Sequence, residues 1–148
     1  MTIALAPHFE VPFVPVLKLR EIPSPLWKLL ASIRFYSCVV NDWVEAPQDF
    51  ITDGASIPRA PLLFLLAGGK ANEAGYIHDA LYTSQKYPRD VCDRILREMV
   101  IAMGYSVELA DEFYLGVRIG GGSHWNLPNV PQPAHVAAAM NLSQLEAA

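Results

Sequence analysis

Charge is scarce in this chain: 18% of its residues are Asp, Glu, Lys or Arg, and they leave a formal net charge of −4. Basic residues never gather into a run. Nucleic acids are held through clustered Lys and Arg, so binding to DNA or RNA is not expected. Arg89, Arg94 and Arg97 fall close together, but Asp90, Asp93 and Glu98 alternate with them, which reads as a solvated helix face. Cysteine is almost absent. Cys38 and Cys92 fall in different expected elements; they could bridge, but two reduced, partly buried thiols are the simpler reading. Long apolar runs are missing too. The longest, Ala60 to Ala67, contains Pro61 and falls far short of the roughly 20 residues of a membrane span. Pro7, Glu10, Pro12 and Pro15 interrupt the N-terminus, so no signal peptide is expected.

What is present is apolar: 52% of the 148 residues are hydrophobic and the mean hydropathy is +0.21. A chain of this length suits one domain and can bury roughly two-thirds of its unfolded surface without a disulfide or metal. The apolar excess fits either a large core or an assembly surface.

Pro7, Pro12, Pro15, Pro23 and Pro25 forbid a helix near the N-terminus and favour extended backbone, with one strand near residues 14–20. Pro25 to Leu30 suits a single helical turn. Arg34 to Val40 and Trp43 to Ala46 read as a β-hairpin turning at Asn41-Asp42, and Phe50-Ile51-Thr52 continues extended. Beyond Pro58 the apolar spacing becomes helical: Leu62, Leu65 and Leu66; Ala74, Ile77, Leu81 and Tyr82; Val91, Ile95, Met99 and Met103. Gly68-Gly69 and Pro88 separate these helices. Gly104 follows the third as a C-cap, and Ser106 can cap a fourth from Val107 to Ile119, which Gly120-Gly121-Gly122 ends.

The expected class is therefore α+β, with a short antiparallel sheet in the N-terminal half packed on three or four helices of the C-terminal half. Leu62, Leu66, Ile77, Leu81, Ile95, Met99, Phe113 and Val117 are its expected core. One domain spans 1–126. A Pro/Ala-rich tail follows over 127–148, whose weak helix should be frayed or held by a partner.

Three motifs carry candidate chemistry. Asp53-Gly54-Ala55-Ser56-Ile57-Pro58-Arg59 marks the strand-to-helix passage. Gly54, Ser56, Pro58 and Arg59 suit a structural turn, and capping accounts for much of the motif without further function. In Tyr76-Ile77-His78-Asp79-Ala80-Leu81-Tyr82, helical spacing puts His78 and Tyr82 on one side and Asp79 about 100° away. A histidine in such a setting is often a hydrogen-bonded core residue, yet the His-Asp pair also offers a base beside a carboxylate. Asp93 lies one turn into the next helix, and the reversal at Pro88 should set it opposite His78, where a carboxylate can fix the imidazole tautomer.

The order Thr52 to Arg59, His78-Asp79-x-Leu81-Tyr82, Asp93, Tyr114-x-x-Val117-Arg118 and a glycine cluster before Trp125 resembles the DUF1353 family over roughly residues 25–125. That domain of unknown function is frequent in tailed phages and prophages. The resemblance implies a bacteriophage protein, a virion component of the tail or tail tip, placed in the virion or the host cytoplasm and partnered by other virion proteins or by itself. Residues 76–94 also resemble the active-site helices of the phospholipase A2 superfamily. That likeness implies a calcium-dependent hydrolase of membrane-lipid esters, with His78 as general base, Asp93 orienting it, Tyr82 in the network and Asp79 on calcium. Asp53 would be a further metal ligand. The cysteine-dense calcium loop of that superfamily has no clean counterpart here.

Overall fold

The computed structural model describes residues 8–9, 16–20, 26–52, 71–122, 125 and 131–146. Strands β1 (His8–Phe9), β2 (Val16–Arg20), β3 (Leu26–Leu29), β4 (Ile33–Ser37), β5 (Asp42–Ala46) and β6 (Ile51–Thr52) precede helices α1 (Asn72–Ser84), α2 (Arg89–Ala102), α3 (Val107–Gly120) and α4 (Ala134–Glu146). The α+β division into a β-rich first half and an α-rich second half is as expected. The turn at 53–59, the helix expected after Pro58, Gly68-Gly69, and the core positions Leu62 and Leu66 lie outside the described residues.

The strands form two antiparallel sheets, in the orders β1-β4-β5 and β2-β3-β6. In the β4–β5 hairpin, Ile33 faces Ala46 and Phe35 faces Val44. All four are buried, so the period-two alternation aims one face at the helices. On the other face Tyr36 meets Trp43 edge-on with ring centroids 5.6 Å apart, and the Arg34 guanidinium lies 4.5 Å over the Trp43 ring.

Residues 26–29 correct the sequence reading: they form a strand, not a helical turn. β3 is the middle strand of its sheet, with β2 on one side and β6 on the other. Leu29 is fully buried, its N–H donates to the Phe50 carbonyl and its carbonyl accepts from Asp49, both at 2.9 Å. Two flanking strands satisfy the backbone of β3 on both sides, and local helical preference cannot compete with that.

Helix α1 is buried almost all round, between α2 on one side and β5 and α4 on the others. Gln85, in the left-handed region at φ 52°, ends α1 with its N–H on the Leu81 carbonyl, and α2 starts after Pro88. Gly104 has φ +94°, a conformation only glycine adopts cheaply. It closes α2, after which the Ser106 hydroxyl accepts from the Leu109 N–H at 3.1 Å to cap α3. Ile77, Leu81, Ile95, Met99, Phe113 and Val117 are all core residues, as their spacing predicts.

The C-terminal tail also departs from expectation: residues 134–146 form a helix held by the chain's own body. Val136 and Met140 are buried, and α4 packs on α1. The Gln132 amide brackets one residue of β6, accepting from Ile51 N–H at 2.8 Å and donating to Ile51 C=O at 2.7 Å. His135 is exposed and lies 3.1 Å from Asp49. Cys38 and Cys92 are free thiols, the first exposed and the second buried. Burial and the neighbouring Asp93 push the Cys92 thiol up to about 12, which makes it inert at neutral pH.

Candidate functional site

The candidate site lies where α1, α2 and α3 meet. His78 and Tyr82 stand one turn apart on the face of α1 that packs on α2, and their rings are tilted together with centroids 4.3 Å apart. The reversal at Gln85 to Pro88 brings α2 back alongside, and Asp93 in its second turn faces both. Its Oδ1 lies 2.9 Å from His78 Nε2 and accepts from the Tyr82 hydroxyl at 2.6 Å. From α3, Arg118 Nη1 donates to Oδ2 at 2.8 Å. The side chains of His78 and Asp93 are both 0% exposed.

This arrangement fixes protonation states. Burial pushes the Asp93 carboxyl up, but hydrogen bonds from His78, Tyr82 and Arg118 outweigh it and leave the group below its ordinary value. Asp93 is therefore an anion and can only accept, so His78 Nε2 must carry the proton. In a neutral ring the lone pair then sits on Nδ1. That atom is buried and has no hydrogen-bond partner among the described residues. The Tyr82 hydroxyl is held far above its ordinary range, first by burial and then by its bond to Asp93, so it remains a donor.

Arg89 corrects the expectation of a solvated face. Its Nε donates to the Tyr82 hydroxyl at 3.3 Å and lies 4.0 Å from Asp93 Oδ2, while Nη2 donates to the carbonyls of Val117 and Arg118, both at 2.8 Å. It thereby satisfies carbonyls at the C-terminus of α3, where a cation is favoured. The i,i+4 spacing of Arg89 and Asp93 was the signal for this. Arg94 and Arg97 do lie at the surface, on Asp90 at 3.7 Å and on Asp111 at 2.6 Å. Gly121 completes the wall: a Cβ there would stand 2.7 Å from the Tyr82 hydroxyl and would clash with the Val117 carbonyl oxygen. Trp125 meets the Tyr82 ring edge-on at 5.1 Å.

Of the sequence candidates, the structure thus joins His78, Tyr82 and Asp93. Asp79 is buried beside them, about 100° round the helix from His78. Asp53, Gly54, Ser56, Pro58 and Arg59 lie outside the described residues. Among the described residues no group of three or more His, Cys, Asp or Glu could hold a metal ion. Asp79 alone falls well short of the roughly six to eight oxygens calcium takes, so the described residues do not fit that ion. A cavity of about 730 Å³ lies elsewhere, lined by Cys38, Arg94, Arg97, Glu98 and Tyr114 among others, and His78 is not part of its wall. Among the described residues no helix is long and apolar enough to cross a membrane.

A family model described as a protein of unknown function, DUF1353, matches residues 22–117. The match takes in His78, Tyr82, Arg89 and Asp93 and stops one residue before Arg118. No curated protein and no solved structure matches the chain.

Proposed function

We propose that this chain, which belongs to the DUF1353 family, is a hydrolase in which His78 is the general base. One observation carries the reading: Nε2 is tied to an ionised Asp93, and the lone pair this leaves on Nδ1 is buried without a partner among the described residues. A histidine serving only as a core lock would be expected to have both ring nitrogens satisfied, because an unpaired buried acceptor costs about 1–3 kcal/mol. Here the unpaired atom is the basic one.

In the proposed step, Nδ1 takes a proton from water as the water oxygen bonds to an ester carbonyl carbon. The imidazolium formed is steadied by Asp93 through Nε2–H. The proton then passes to the alkoxide oxygen as its bond to carbon breaks, which restores neutral His78. A lipid ester is the substrate class suggested by the likeness of residues 76–94 to the phospholipase A2 helices. No step is routed through a metal.

The test is fatty-acid release from mixed phospholipid vesicles, with calcium and with chelator, by the intact protein and by His78→Ala. Release by the intact protein is expected, and its loss by roughly 10²- to 10⁴-fold in the variant, the usual worth of a positioned base. Full activity in folded His78→Ala would remove His78 from the reaction. Dependence on calcium would turn attention to Asp79 and Asp53.

A second reading, a virion component of the tail or its tip, is favoured by one feature. Leu115 and Ile119 form an exposed apolar strip on the outer side of α3, as an assembly surface would. The phage setting the family implies points the same way. In that reading the buried network locks the helices together. Association with virion proteins, or defined oligomers lost on Ile119→Lys, is the expected result; a monomer absent from purified particles would speak against it.

A further inference from the structure

We infer that Arg118 is the positioning residue of the site: by holding Oδ2 of Asp93 it keeps Oδ1 between His78 and Tyr82. This rests on the general-base reading above.

The two oxygens of Asp93 are held differently. Oδ1 accepts two short bonds, from His78 at 2.9 Å and Tyr82 at 2.6 Å. Oδ2 has one hydrogen-bond donor among the described residues, Arg118 Nη1 at 2.8 Å. A carboxylate turns easily about its Cβ–Cγ bond, and Oδ1 cannot keep both of its bonds if Oδ2 swings away. Arg118 sets that rotation.

Arg89 is no substitute. Its Nε lies 4.0 Å from Oδ2, beyond hydrogen-bond distance, and points to the Tyr82 hydroxyl, while Nη2 is spent on the carbonyls of Val117 and Arg118. Those two bonds have a consequence for Arg118 itself, because they pin the backbone from which its side chain reaches in. One arginine anchors the other. The Arg118 side chain is 34% exposed while Asp93 is 0% exposed, so the guanidinium spans from solvent to the buried carboxylate. Its bond to Asp93 is through a single nitrogen, which makes lysine an adequate replacement; a bidentate fork would not tolerate that exchange.

The test is the His78 Nε2 proton, followed by ¹H–¹⁵N NMR on the full chain at one fixed pH. In the intact protein this buried, charge-assisted bond should give a downfield, slowly exchanging proton. Arg118→Leu should lose or broaden that signal, and Arg118→Lys should keep it. With a lipid ester that the intact protein hydrolyses, Arg118→Leu should lower kcat by roughly 10- to 100-fold at little-changed KM, by analogy with the loss of the groups that orient metal-bound histidines. Arg118→Lys should restore most of it. If Arg118→Leu does not fold by circular dichroism, Arg118→Gln replaces it with the same expectation. An intact-protein resonance that persists unchanged in the folded neutral variant overturns the inference, as does its loss in folded Arg118→Lys. Failure of the hydrolase reading shows separately, as unchanged fatty-acid release by His78→Ala.

Discussion

Two arginine–carboxylate pairs join α2 to α3, one helical turn apart on α2 and about two on α3, and they differ in a way their distances hide. Arg97 and Asp111 meet at 2.6 Å with side chains 38% and 49% exposed. Arg118 and Asp93 meet at the slightly longer 2.8 Å, but the carboxylate is wholly buried. Water can solvate either member of the first pair if its partner is lost. It cannot reach Asp93, whose charge must be met by protein donors or not at all. The shorter bond belongs to the weaker interaction, and burial is what ranks them.

The largest effect should come from Asp93→Asn. It removes the anion that answers His78, Tyr82, Arg118 and, at longer range, Arg89. Breaking such a buried pair costs about 3–5 kcal/mol, read as a fall in the urea midpoint. The same variant isolates the pH dependence. The Asp93 carboxyl lies below its ordinary value when folded, so its contribution is complete above the unfolded value of about 4 and is lost as pH falls toward the folded one. Tyr82 has the opposite sense: burial and Asp93 hold its hydroxyl above the ordinary value. Its contribution is complete below an unfolded pKa of about 10 and is lost as pH rises beyond it. Thermal melts across pH should show stability falling at both ends, with a shallower acid limb in Asp93→Asn. An unchanged acid limb would mean that Asp93 is not the anion the network requires.

Gly121→Ala should rank second. Its Cβ would meet the Tyr82 hydroxyl and the Val117 carbonyl, and relieving such overpacking costs about 1–3 kcal/mol. A lower melting temperature, with an altered near-ultraviolet signal from Tyr82 and Trp125, would report that the hydroxyl had moved. The smallest effect belongs to the exposed pair. A double-mutant cycle on Arg97→Ala and Asp111→Ala should return a coupling of about 0.2–1 kcal/mol, reduced by salt. A coupling as large as that at Asp93 would break the comparison.

His78, Tyr82 and Asp93 were legible in the sequence because each step joining them is local. His78 and Tyr82 are i,i+4 on one helix, and a short reversal at Pro88 returns the chain beside it. Arg89 was misread because alternating charges look alike in sequence whether a side chain points to water or across the neighbouring helix. Arg118 stands 25 residues from Asp93, in a motif whose spacing gave no role to its guanidinium. Leu26–Leu29 was misread for the converse reason: its strand state comes from partners on both sides that only the fold supplies. The tail helix offers Val136 and Met140 among alanines, too faint an apolar period to mark a docking face.

Among the described residues strand β6 lies at the edge of its sheet, and an open edge is a template on which a foreign strand can grow. Gln132 removes that opportunity at Ile51, because its side-chain amide mimics a peptide unit and occupies both the N–H and the C=O. Besides adding to the core, the tail therefore covers one residue of that edge, and truncation before Gln132 is expected to leave the Ile51 N–H and C=O open to an intermolecular strand.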